Sequence, residues 1–222
     1  MVKIHRLNNC PALLPYYRGS FTQTEPLVND CYYIEDSLTY NMTVNPSLTY
    51  DELKDQSVNK NYVNQELAYR RFVYEQYLQI PESTLQSLLQ WAKENGIRSD
   101  SPTLVTDIQN AIINAAAYNP HGESYPDGVD VAVYFLTQAK EGICQHFATA
   151  ATMVYRAFGI PARYTVGFMD EVVEGVTTQL TSQDAHAWVE IYVDGVGWVA
   201  IEVTSGFSDS IKNQLVDRKS VV

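Results

Sequence analysis

The chain has no run of about 18 or more apolar residues, so nothing in its 222 residues is written to cross a membrane as a helix. Basic residues are scarce. Fifteen Lys and Arg face 26 Asp and Glu, a net charge of −11. A surface this acidic repels phosphate backbones and anionic lipid heads, which argues against nucleic acid as a partner and leaves solubility as the plain reading of the charge. Repeats and low-complexity tracts are lacking too. With 45% hydrophobic and 18% charged residues, the composition is that of a chain that buries a core as one large domain, or one domain with a small appendage. The N-terminus, Met1-Val2-Lys3-Ile4-His5-Arg6-Leu7-Asn8-Asn9, turns polar too early to supply a signal-peptide hydrophobic stretch. Two placements stay open: the cytoplasm, or a soluble piece of a longer secreted or membrane-anchored chain.

Cysteine is sparse, with only Cys10, Cys31 and Cys144. The first two share the N-terminal region and either bridge in an oxidising compartment or remain two core thiols. Cys144 is left without an obvious partner. It is a candidate nucleophile or a small buried hydrophobe, and its surroundings must decide.

Residues 1–60 are rich in Tyr, Thr, Asn and Pro and read as a β and loop segment, packed beside a main domain over 61–222. From Val63 the pattern becomes helical. Leu67, Arg71, Tyr74 and Leu78 keep that spacing until Pro81. A second helix begins after Pro81, with Leu85, Leu88, Leu89 and Ala92 as its stripe and Asn95-Gly96 as its stop. A third opens near Ser101-Pro102, turning Leu104, Ile108, Ile112 and Ala115 inward. Tyr118 to Asp130 reads as a loop, well placed to rim a cleft before Cys144.

Phe147, Ala151, Val154 and Phe158 recur at helical spacing, and Gly159 and Pro161 end the run. Cys144 therefore falls in a first helical turn. Free N–H groups and the positive end of the helix dipole there favour an anion and lower a thiol pKa. Gly142 removes bulk just ahead of the sulfur, where a substrate backbone would approach. Backbone amides at such a helix start, that of Cys144 among them, can also receive an oxyanion. Gln138, six residues upstream, is a weaker oxyanion candidate. His146 should point away from the sulfur and reads as structural, as do His5 and His121. A zinc site from Cys144, His146 and His186 lacks a fourth ligand and the usual spacing, so no cofactor is implied.

Asp184 to Tyr192 alternates strictly. Ala187, Val189 and Ile191 take one face, and His186, Trp188, Glu190 and Tyr192 the other. A second strand follows, with Val199, Ile201 and Val203 opposite Trp198, Ala200, Glu202 and Thr204. A three-residue loop, Val193-Asp194-Gly195, would pair Val189 with Val199 and Ala187 with Ile201, placing His186 directly across from Glu202. Thiol, base and orienting carboxylate are the parts needed for nucleophilic catalysis. The two tryptophans, Trp188 and Trp198, would flank them.

Gly142-Ile143-Cys144-Gln145-His146-Phe147-Ala148, Arg156 to Arg163, Ala185-His186-Ala187-Trp188-Val189-Glu190 and Gly197-Trp198-Val199 through Glu202 together resemble the transglutaminase-like superfamily. The resemblance covers about residues 100–207 and extends to bacterial members whose domain lies outside the cell on a membrane-anchored chain. It implies an α+β, papain-like core, with a nucleophile-bearing helix packed on an antiparallel sheet. It also implies Cys144 as nucleophile, His186 as base, Glu202 as third member and a protein or peptide amide as substrate. One departure stands out: the usual third residue is Asp within Asp-Pro-Thr, and this chain has Glu202-Val203-Thr204.

Overall fold

The computed structural model of the chain describes residues 2–5, 18–21, 27–28, 31–32, 39–44, 60–170, 176–194 and 197–207, with side chains from residue 67 onward. Five short strands lie in the N-terminal part: β1 (Val2–His5), β2 (Arg18–Phe21), β3 (Leu27–Val28), β4 (Cys31–Tyr32) and β5 (Thr39–Val44). They form an antiparallel sheet of order β1-β5-β2 and a separate β3-β4 pair. Cys10 and the side chain of Cys31 lie outside the described residues, as does the question of a bridge between them.

Three helices follow: α1 (Lys60–Gln76), α2 (Glu82–Glu94) and α3 (Leu104–Ala115). The expected periods hold, but two faces are rotated. Among the described side chains of α1 the buried one is Val73, while Leu67 and Tyr74 are exposed, and the helix ends at Gln76, ahead of Pro81. In α2 the buried line runs through Thr84, Leu88, Trp91 and Ala92, and Leu89 faces solvent. Trp91 offers more apolar area than Leu89, so its burial sets the rotation. Asn95 and Gly96, with φ +72°, end α2 as the sequence predicts. Ile108 and Ile112 of α3 are fully buried, with Leu104 and Ala115 packed at the margin.

Strand β6 (Ala117–Tyr118) pairs in parallel with β7 (Glu141–Gly142), closing the loop over 119–130 against the segment that precedes Cys144. Between them, α4 (Val131–Tyr134) runs into a π-helical turn, Phe135–Ala139. Helix α5 (Cys144–Ala157) is central, and its Phe147, Ala151, Val154 and Tyr155 are all fully buried. They meet α2, α3 and the inner face of a three-stranded antiparallel sheet of order β10-β9-β8. Its strands are β8 (Ala162–Phe168), β9 (Ala185–Val193) and β10 (Gly197–Ile201). Ala162, Ala187, Val189 and Ile191 supply the buried sheet residues. The α+β architecture is thus the one expected, with the helix that begins at Cys144 packed on an antiparallel sheet.

The hairpin register is not. Val189 pairs with Ile201 and Ile191 with Val199, two residues away from the predicted alignment. The loop is still three residues long but begins one position later. Val193 stays in the strand, packed against the core, and Gly197 takes a positive φ of +106°. A shift of two preserves which side chains share a face, so the apolar pattern cannot distinguish the two registers.

Candidate active site

Each functional side chain is placed by an element whose local sequence explains it. Cys144 is the first residue of α5. At that position its own N–H has no intrahelical acceptor. His146, one turn into the helix, folds back so that its Nδ1 accepts the Ile143 N–H at 3.1 Å. Its ring stacks on Tyr125 at 4.4 Å. The histidine is therefore a cap for the helix that carries the sulfur, a structural role as expected. Gly142 has a different reason from the one predicted. A Cβ there would sit 2.6 Å from His146 Nδ1, so the glycine makes room for the cap and not for a substrate.

The loop after Tyr118 is pinned to the same segment. Asn119 N–H donates to the Gly142 carbonyl at 2.8 Å, and the Tyr125 hydroxyl donates to the Glu141 carbonyl at 2.7 Å. Gln138 lies exposed on the π-helical turn.

His186, near the start of β9, is 6% exposed, and Glu202, just past β10, is 4% exposed. They are diagonal neighbours, not direct partners, yet His186 Nε2 and Glu202 Oε2 are 2.6 Å apart. The extra methylene of glutamate spans the diagonal. The other carboxylate oxygen, Oε1, accepts N–H bonds from Val203 at 3.0 Å and Thr204 at 2.6 Å. Gln109 of α3 donates to the Glu202 carbonyl at 2.8 Å, tying the segment to the helical layer. With Nε2 committed to Glu202, Nδ1 is the ring nitrogen left to face Cys144.

The electrostatics follow from that geometry. Half-burial works to raise the Cys144 pKa. The hydrogen bond and charge of His186, with backbone hydrogen bonds from Ala187 and Gln145, outweigh it and bring the thiol below its ordinary value. Burial likewise works against protonation of His186, but hydrogen bonds and charge from Cys144 and Glu202 lift its pKa to about 9. Thiolate and imidazolium stabilise each other.

Sequence reading missed Phe207. Its ring stacks on His186 at 5.0 Å, and Trp188 stacks alongside at 6.3 Å. Phe207 N–H donates to the Thr204 carbonyl at 3.1 Å, so one short segment, 202–207, delivers both the carboxylate and an aromatic wall to one imidazole. Tyr118 packs edge-on against Phe207 at 5.3 Å. Phe207 sits in a turn, where no periodicity marks it; an aromatic residue close behind the acid is the one signal available. Trp198 does not flank the site. It lies about 20 Å along the hairpin from His186 at ~3.3 Å per residue, where its indole N–H donates to the Tyr69 hydroxyl at 2.8 Å.

A thiol at a helix start, an imidazole on a strand and a buried carboxylate that orients it define a cysteine-centred α+β domain of the Cys–His–acid kind. The chain belongs to the transglutaminase-like superfamily, whose family profile matches residues 90–203. It is 28% identical over 213 residues to "Uncharacterized protein YebA" of Bacillus subtilis, covering 90% of this chain and 28% of that protein. It is 39% identical over 80 residues to a protein-glutamine gamma-glutamyltransferase of Pseudomonas aeruginosa, covering 35% of this chain and 12% of that one. The chain thus spans less than a third of the length of these curated relatives. Among solved structures it is similar to the periplasmic domain of TgpA from Pseudomonas aeruginosa, with a TM-score of 0.48 and 22% identity over 64% of this chain and 50% of that one.

Proposed function

We propose that this domain transfers acyl groups from protein or peptide amides through a thioester on Cys144, with His186 as general base and acid and Glu202 as the orienting third member. The observation that carries the reading is the linked pair of contacts at His186: a thiol held below its ordinary pKa on one side, a buried carboxylate at 2.6 Å on the other. The Cys144 thiolate attacks the amide carbon, and a negative charge develops on the carbonyl oxygen near the Cys144 N–H at the start of α5. His186 gives its proton to the departing ammonia or amine, and the thioester remains. An incoming amine or water then loses a proton to His186 as it attacks the carbonyl, and the thiolate leaves.

Family membership and the sequence similarity to a glutamyltransferase support an amide donor. The resemblance to bacterial members displayed outside the cell supports an extracytoplasmic or cell-surface site of action. No described helix is long and apolar enough to cross a membrane. The test is incubation with a glutamine-containing protein and a labelled primary amine, following ammonia, label and chain length together. Ammonia release with label incorporation supports transamidation. Chain cleavage would move the assignment to a cysteine protease or peptidoglycan amidase using the same triad. No turnover, with Cys144 alkylated no faster than a free thiol, would leave a binding module on this fold.

A further inference from the structure

We propose that Phe207 is a positioning residue for the Cys144–His186 pair, its face holding the imidazole in the orientation that points Nε2 at Glu202 and Nδ1 at Cys144. The inference rests on the catalytic reading above and adds what fixes the base. An imidazole serves two partners at once only while its plane is held. A half-turn about its Cβ–Cγ bond would carry both nitrogens away from thiol and carboxylate. The Phe207 ring lies 5.0 Å from the His186 ring and is tilted 24° from it. Turning the imidazole out of its plane would drive an edge into that face.

Several contacts fix Phe207 in turn. Gly206, with φ +86°, takes the left-handed conformation just before it. Phe207 N–H donates to the Thr204 carbonyl at 3.1 Å, and Thr204 N–H donates to Glu202 Oε1 at 2.6 Å. Acid and ring are therefore parts of one bonded turn, anchored by the fully buried Thr204. Tyr118 of β6 braces Phe207 from another element, edge-on at 5.3 Å. Trp188 lies nearly parallel to the imidazole as well, at 6.3 Å and 20°. Gly167, directly across from His186 on β8, leaves room for that indole: a Cβ there would sit 2.6 Å from Trp188 Cη2. An aromatic face attracts a cation within about 6 Å of its centre, so Phe207 favours the imidazolium that it holds. The titratable groups that act on His186 are Cys144 of α5 and Glu202 past β10, while β8 sets Gly167 opposite it and β6 sets the Tyr118 phenol beyond Phe207.

The experiment titrates the His186 ring by NMR in the unmodified protein, in Phe207→Leu and in Phe207→Tyr, and follows iodoacetamide alkylation of Cys144 against pH in each. Leucine keeps apolar bulk beside the imidazole without a π face; tyrosine keeps the face. In Phe207→Leu the His186 titration should fall by about half a unit, an about threefold weaker hold on the proton. The acid limb of alkylation should stay in place, because His186 carries its proton on both sides of that step. The Nε2–H bonded to Glu202 should exchange with water about tenfold faster once the ring can turn. Phe207→Tyr should match the unmodified protein in every respect. An unmoved His186 titration in Phe207→Leu would overturn the proposal, and so would an equal shift in Phe207→Tyr. An acid limb displaced as far as the imidazole would mean that the turn had merely loosened, and would overturn it too. Failure of the catalytic reading looks different: Cys144 of the unmodified protein would be alkylated no faster than a free thiol, while the imidazole titrations still compared the three side chains.

Discussion

Two carboxylates share one face of the same hairpin, and each is 4% exposed, yet they do different work. Glu190 meets Arg163 at 2.5 Å, and that guanidinium lies 4.2 Å over the Trp198 ring. Glu202 meets His186 at 2.6 Å, and that imidazole faces a thiol. Arginine keeps its charge at any accessible pH, so the Glu190 pair is a fixed strut within an aromatic cluster of Tyr69, Tyr77, Tyr192 and Trp198. Histidine can gain and lose a proton, so the Glu202 pair can take part in a reaction. Burial and alternation are alike at the two ends; the partner's chemistry separates a fixed strut from a pair that can titrate.

The sharpest way to break this contrast is at the bases. His186→Ala should lower acyl transfer by about 10³-fold or more while the protein stays folded. Glu190→Gln should leave turnover within about threefold and cost roughly 1–3 kcal/mol of stability, less than a fully buried pair because Arg163 keeps contact with solvent. Steady-state kinetics with urea unfolding reads both, and a large activity loss in Glu190→Gln would erase the distinction. Next comes Glu202→Gln, expected to reduce turnover about 100-fold and to lower the His186 pKa, since the carboxylate is one cause of its elevation. An unchanged imidazole titration by NMR would show that Glu202 does not govern the ring.

The pH dependence separates the pair in a subtler way. His186 titrates near 9 when folded and near 6.5 when unfolded, so its contribution is complete below about pH 6.5 and fades as pH rises through about 9. Cys144 is shifted down, so its contribution is present above the unfolded thiol value and is lost as pH falls through the folded one. Where thiolate and imidazolium coexist, the proton missing from sulfur is held by nitrogen, and the two slopes oppose each other. Wild-type stability should be nearly level over the pH range in which both charged forms persist, up to about pH 9. Cys144→Ala, with Glu202 still raising the imidazole, should lose stability steadily over that range. Denaturation midpoints at stepped pH would show it; parallel curves for the two proteins would contradict the pairing. The smallest effect is expected at Gly142→Ala, about 1–3 kcal/mol of stability as the added methyl displaces the His146 cap.

Much of this was legible from residue spacing. Helical periods found α5 and put Cys144 at its start, and strict alternation put His186 and Glu202 on one face. What escaped detection has physical causes. Apolar alternation reports parity, so a hairpin slipped by two residues reads the same, and the direct pairing of His186 with Glu202 became a diagonal one. Leucine counts alone misjudged the face of α2 because Trp91 outweighed Leu89. Gly142 was read for a visitor when its neighbour four residues on already filled the space. Phe207 lay in a turn, where contacts depend on tertiary folding and leave no period to read.

Glu202 and Val203 carry a consequence for how such a domain can change over generations. The Val203 N–H holds Oε1 at 3.0 Å, a donor that proline, in the superfamily's usual Asp-Pro-Thr run, does not possess. Exchanging Glu202 for aspartate alone leaves the acid one methylene short of a diagonal histidine. Exchanging Val203 for proline alone strips a bond from the longer acid. Either exchange alone should therefore loosen the hold on the His186 ring, and making both together should restore part of it.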